Sequence, residues 1–197
     1  MERDRSDFVD MVGAIGWPGE RPGAVVILGK HRRRDPVKGA HHLEVVAELI
    51  DSDMGTLLRT AVSMWRVHFP SAFVGDTDNL AALELLYDMA LSWRAVDFHI
   101  SPGYFSHLPD GFSYLVNALK RFLMAGLILF PQRSVLPALV QEMQPEQAYR
   151  SKLTDFPLVS ALAMAAIELN PFNEDRQRPS ETADSDYNAL EYGRVEG

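Results

Sequence analysis

No cysteine occurs among the 197 residues. Disulfides, zinc–thiolate centres and thiol nucleophiles are therefore excluded, and a reducing compartment is consistent with the composition. No stretch approaches the roughly 18 to 20 uncharged apolar residues that a membrane helix requires, and the opening MERDRSD is charged where a signal peptide would need an apolar core. These absences predict a cytoplasmic protein without a membrane segment. Basic charge is also in short supply, because 19 Lys and Arg stand against 27 Asp and Glu for a net charge of −8. Such a chain does not coat nucleic acid by bulk electrostatics, which depends on clustered cations replacing counterions. No GxxxxGKS or GxxxxGKT phosphate loop occurs, so an ATPase is not encoded here. No GxSxG elbow supports serine chemistry, and His41-His42 has no second pair at zinc-ligand spacing.

The apolar content of 47 % suffices for one sizeable core. We expect one domain over residues 1–170. From Pro171 to Gly197 seven acids face three arginines and large apolar side chains are few, which predicts a flexible acidic tail over 171–197. The net charge conceals one concentration of opposite sign. Residues 30–38, KHRRRDPVK, hold Lys30, Arg32, Arg33, Arg34 and Lys38, five of the nineteen basic residues. They are either a nucleic-acid-binding patch or a solvated basic loop.

The order of elements follows from periodicity. Phe8 to Ile15 and Ala24 to Leu28 flank a Pro- and Gly-rich turn and read as paired strands. A second turn through Arg32 to Gly39 leads to His42–Ile50, where Leu43, Val45, Ala47 and Leu49 alternate with His42, Glu44, Val46 and Glu48. That alternation puts Glu44 and Glu48 on one face, in keeping with a solvent-facing edge or near-edge strand. Asp51-Ser52-Asp53 then caps a helix that runs to Pro70. Ala72–Gly75 is a short strand, a helix follows from about Leu80 to Leu91, and Val96–Ile100 forms a fifth strand. Helices are expected from Gly111 to Ala125, from a Ser134 cap to about Met143, and from Asp155-Phe156-Pro157 to Leu169. Tyr104 and Phe105 follow a Pro-Gly loop, either to stack on a base or, more simply, to anchor the loop.

Phosphodiester hydrolysis with two hard divalent ions needs several carboxylates converging on one place. Asp76 stands just past the carboxyl end of a predicted central strand, a favoured position for ligand sites in open α/β sheets. Asp78, two residues on, either joins such a site or caps the next helix. Helix capping and turn formation alone would also account for Asp76-Thr77-Asp78-Asn79.

From Leu57 to Ala166 the chain resembles the nuclease domain of phage terminase large subunits. The likeness rests on a strand ending in the acid of Phe73-Val74-Gly75-Asp76, a strand leading into Ser101-Pro102-Gly103, the Gly126-Leu127-Ile128-Leu129-Phe130-Pro131 strand, and Asp155 immediately before the alanine-rich Pro157-Leu158-Val159-Ser160-Ala161-Leu162. It implies a ribonuclease H-like α/β fold, a mixed five-stranded sheet in the order 3-2-1-4-5 with helices on both faces. It also implies a metal-dependent endonuclease acting on DNA, with Mg2+ or Mn2+ held by Asp76 and Asp155 and with Glu20 or Asp78 as supplementary ligands. A separate ATPase or another phage-packaging protein would be the partner. The chain departs from the family at the first strand, where Ile15-Gly16-Trp17 stands in place of an aspartate. Either Glu20 or Asp10 substitutes, or the site is incomplete. In the last case the chain is a catalytically silent ribonuclease H-like interaction or assembly protein of prophage origin.

Overall fold

The computed structural model describes residues 7–93, 97–132, 134–142 and 151–172. Three antiparallel strands open the chain: β1 (Phe8–Gly16), β2 (Gly23–Asp35) and β3 (Ala40–Asp51). There follow α1 (Met54–His68), β4 (Ala72–Asp76), α2 (Leu80–Ser92), β5 (Ile100–Gly103), α3 (Gly111–Met124), β6 (Ile128–Leu129), α4 (Leu136–Glu142) and α5 (Pro157–Leu169). The strands form one six-stranded sheet in the order β5-β4-β1-β2-β3-β6. Five of them stand in the expected order, and β6 adds a sixth, parallel to β3.

β4 lies inside the sheet, parallel to β1 on one side and to β5 on the other. Its five residues are all buried. The expected fifth strand is displaced: pairing with β4 begins at Ile100 and runs through Pro102. β5 is an edge strand, where the missing proline N–H takes nothing from the ladder. Of the residues assigned to that strand, Val96 lies outside the described residues. β2 likewise runs on to Asp35, so Arg32, Arg33 and Arg34 belong to the strand and not to the turn. The turn is tightened at Gly39, whose φ of +61 suits the residue without a Cβ.

The sheet separates two apolar layers. On one face α1 and α2 pack through Leu57, Leu58, Ala61, Leu83 and Leu86 against Ile15, Ile27 and Phe73. On the other, α3, α4 and α5 pack against Val12, Val26, Leu28, Val45 and Val74. α1 begins at Asp53, whose carboxylate accepts from the Thr56 N–H and hydroxyl at 2.7 Å each. It stops at Phe69, left-handed with φ 50 and followed by Pro70. α5 is buried over nearly its whole length, Pro157–Ala166 without interruption. A helix apolar all round is one that the core encloses, and its alanines let it lie close across β1, β2 and β4.

One irregularity decides which way the acids of β3 point. In the ladder Leu28 opposes Val45 while Ile27 opposes Ala47, so Val46 is an extra residue, a β-bulge. Leu43 and Val45 therefore face α3 and α5, whereas Ala47 and Leu49 face α1. Glu44 and Glu48, expected to share a face, are divided between the two. Glu44 is buried against His31 at 2.8 Å, and Glu48 accepts from the Ser134 hydroxyl at 2.8 Å. Since β6 pairs with β3, β3 is not the sheet edge. The tail expected from residue 171 begins with residues held against the domain: the Pro171 carbonyl accepts from the His41 N–H at 2.8 Å, and the Phe172 ring meets Phe122. Residues 173–197 lie outside the described residues.

Candidate functional site

The carboxyl ends of the parallel pair β1 and β4 meet at one rim of the sheet, with Ile15 beside Gly75. Asp76 ends β4, on the face that Val74 presents to α3 and α5. Only 1 % of it is exposed. A carboxylate so buried has to be hydrogen-bonded. One oxygen accepts from the Asp78 N–H at 2.9 Å and from the Ser106 hydroxyl, while the other accepts from the Ser106 N–H at 3.0 Å. Its main-chain carbonyl accepts from the indole N–H of Trp17 at 2.7 Å, which ties the turn after β1 to the end of β4.

The first-strand position alongside this acid is Gly16. A Cβ built there would stand 1.9 Å from the Pro157 carbonyl oxygen. The start of α5 thus occupies the space that a side chain would need. Glu20 stands in the following turn and is exposed. That turn lies against the approach to α5, with Gly19 beside Thr154 and the Arg21 guanidinium 4.5 Å above the Phe156 ring. Asp10 sits at the other end of β1, roughly 20 Å from Gly16 at about 3.3 Å per residue, and accepts from the Met11 N–H at 2.8 Å.

Asp155 closes a short 3-10 turn, Leu153–Asp155, that leads into α5. Its carboxylate accepts from the Lys152 N–H at 2.8 Å, a capping interaction. Asp78 is exposed in a second 3-10 turn, Thr77–Asn79, and Asn79 rather than Asp78 caps α2 by accepting from the Ala82 N–H at 3.1 Å. Between these two turns runs an open groove of about 330 Å³, lined by Asp78, Ser106, Asp110, Ser113, Lys152 and Thr154 among others. Neither Asp76 nor Asp155 is part of its lining. The turn that carries Asp155 packs through Leu153 and Phe156 in the layer that Val74 faces, and each acid is engaged by hydrogen bonds from its own surroundings.

The basic residues are elsewhere. β2 is antiparallel to β1 and pairs Ala24 with Gly16, so its far end, at Arg32–Asp35, is the opposite rim of the sheet. From Ala24 to Arg33 the strand covers roughly 30 Å at about 3.3 Å per residue. Lys30 is buried, whereas Arg32, Arg33, Arg34 and Lys38 are exposed. The fold does not bring these side chains to Asp76. Ser106 and Trp17, which hold Asp76, carry no local sequence signal: only the pairing of β4 with β5 and of β1 with β4 brings them there.

Among the described residues, no group of three or more His, Asp or Glu is placed to hold a metal ion. Gly16 offers no ligand, and three of the roughly four acceptor positions of the Asp76 carboxylate are taken by donors of the chain. These side chains, as they stand, do not fit a two-metal centre.

The fold defined by these strands is ribonuclease H-like. Within that class the chain is similar to the large terminase nuclease from thermophilic phage G20c, with a TM-score of 0.52 at 13 % identity over 82 % of this chain and 85 % of that one. It is also similar to the g2p large terminase nuclease domain from bacteriophage SPP1 with bound Mn, with a TM-score of 0.50 at 15 % identity over 81 % of this chain and 85 % of that one. At such identities the likeness is one of fold. No protein-family model matches the sequence, and no curated protein matches it either.

Proposed function

We propose that this chain is a catalytically silent ribonuclease H-like module, acting as an interaction or assembly protein in a phage-type nucleic-acid-processing system. The observation that carries this reading is Gly16. The first-strand position beside Asp76 has no carboxylate, and the Pro157 carbonyl closes the space for one. Asp76 then serves as a structural acid that fastens the loop after β5 to the end of β4 through Ser106. The test is plasmid cleavage with Mn2+ or Mg2+, alongside a calorimetric titration with Mn2+. We expect no cleavage above background and no saturable metal site. Cleavage by the wild type that disappears in Asp76→Asn would overturn the reading.

A second reading is kept alive by the position of Asp76 and by the fold. A buried acid at the carboxyl end of a central strand, in a fold shared with a nuclease that binds Mn, supports a metal-dependent endonuclease acting on DNA. Under it Asp76 and Asp155 would be metal ligands, with Asp78 or Glu20 in support, after rearrangement of the Ser106 contacts. A saturable Mn2+ site lost in Asp155→Ala would favour this second reading.

A further inference from the structure

We propose that the turn end of the β2–β3 hairpin binds the sugar–phosphate backbone of nucleic acid, at the rim of the sheet opposite Asp76. A notch of about 340 Å³ opens there, lined by His31, Arg33, Arg34, Asp35, His42 and Leu129 among others. Its one acid is already engaged: Asp35 accepts from the Val37 and Lys38 N–H groups at 2.9 and 3.1 Å, with Lys38 Nζ at 3.9 Å and His42 Nε2 at 3.7 Å. Arg34 is fixed by its Nε donating to the Gly39 carbonyl at 2.7 Å, which leaves its terminal nitrogens for an outside acceptor. Guanidinium groups held in this way suit phosphate oxygens, which they engage in pairs.

The breadth of the patch points to a polyanion and not to a single small ion. Arg32 reaches the Phe8 carbonyl at the start of β1 at 3.3 Å, while Lys38 reaches the Gly126 carbonyl beyond α3 at 3.0 Å. The exposed cations thus extend across the ends of several elements. Leu129, 40 % exposed, gives the notch an apolar patch against which a sugar or base could rest. The rest of the molecule argues for orientation, since a chain of net charge −8 repels a polyanion everywhere except where its cations are concentrated. This site does not depend on whether Asp76 is catalytic, because the two are separated by the length of β2.

The experiment is fluorescence anisotropy with labelled single- and double-stranded DNA oligonucleotides across a range of salt concentrations. Wild type, Arg33→Glu/Arg34→Glu and Arg59→Gln are compared, with inorganic phosphate and polyglutamate as competitors; Arg59 is an exposed arginine near the start of α1, outside the patch. We expect the double variant to bind at least about tenfold more weakly, with a salt dependence shallower by about two phosphate contacts. Arg59→Gln should bind as the wild type does. Both arginines are exposed, so the fold should survive. If circular dichroism shows otherwise, the milder Arg33→Gln/Arg34→Gln carries the comparison. Equal binding by wild type and the arginine variants would overturn the proposal, as would no binding by the wild type at low salt. So would complete competition by millimolar inorganic phosphate, which would mark a single-anion pocket. Binding of polyglutamate without binding of DNA would do the same, pointing to an acidic protein segment.

Discussion

The two rims of the sheet handle charge in opposite ways. At the Asp76 rim a carboxylate is buried and accepts three hydrogen bonds from Ser106 and Asp78. At the hairpin rim the cations are exposed on an open notch, and the acid among them is occupied by its own turn. A buried charge is retained only where fixed partners replace water, and at the first rim Ser106 and Asp78 supply those partners. Exposed arginines cost little to maintain and remain available to an outside anion. On the reading of a catalytically silent module proposed above, the position of an acid at a strand end is not enough to make a site. What matters is whether its oxygens are left for a ligand.

The sharpest way to break this comparison is to supply the missing acid. Gly16→Asp should cost about 3 kcal/mol or more, at or beyond the upper end for overpacking, because the added Cβ meets main chain and not a movable side chain. Gly16→Ala isolates the Cβ. Urea denaturation measures both, and wild-type stability in either would mean that α5 yields and the rim is open. Next in size is Ser106→Ala, which removes one of the three donors to Asp76 while sparing the main-chain N–H. A buried charged acceptor that loses a donor should cost about 1–3 kcal/mol. A neutral result would show that water or a cation takes the hydroxyl's place, and would revive the metal reading.

At the hairpin rim the expected effects on stability are smaller. The N–H groups of Lys38 and Val37 hold the Asp35 carboxyl below its ordinary value of 3.8. Because the folded-state value is the depressed one, the contribution of Asp35 is fully present above that ordinary value and is lost as the pH falls through the folded value. Wild type should therefore melt slightly above Asp35→Ala near neutral pH, and the difference should close on acidification. A difference that persisted in strong acid would assign the effect to packing. Smallest of all, removal of residues 173–197 should leave the melting temperature unchanged. Their composition, with seven acids and few large apolar side chains, offers little burial to offset about 1–2 kcal/mol of backbone entropy per ordered residue. The cut has to follow Phe172, since Pro171 and Phe172 contact β3 and α3.

Much of the architecture was legible from local pattern. The Asp53 cap, the stop at Phe69-Pro70, the isolated apolar run of β4 and the alanine-rich α5 each carry their own signal, while the order of five strands in the sheet came from the resemblance to terminase nucleases. Less legible were features whose cause lies on a neighbouring strand. The bulge at Val46 divides Glu44 from Glu48, and its only local trace is the apolar run Val45-Val46-Ala47, which by itself does not tell a bulge from a regular strand with one apolar residue on its polar face. β5 was displaced toward Pro102 because only an edge position tolerates a proline there, and edge status is a property of the sheet.

The candidate site divides in the same way. Sequence by itself determined that Asp76 ends a strand, that Asp155 precedes the last helix, that Ile15-Gly16-Trp17 holds no acid, and that the cations gather at residues 30–38, since each of these is a matter of residue type and short-range order. Only the tertiary structure decided that Ser106, thirty residues from Asp76 along the chain, takes up its carboxylate, that Pro157 seals the space beside Gly16, and that the cations stand a strand's length away from both acids. The reason is physical. A carboxylate's chemistry depends on which donors approach its oxygens, and here those donors come from segments brought together by strand pairing and helix packing, about which the local sequence carries no information.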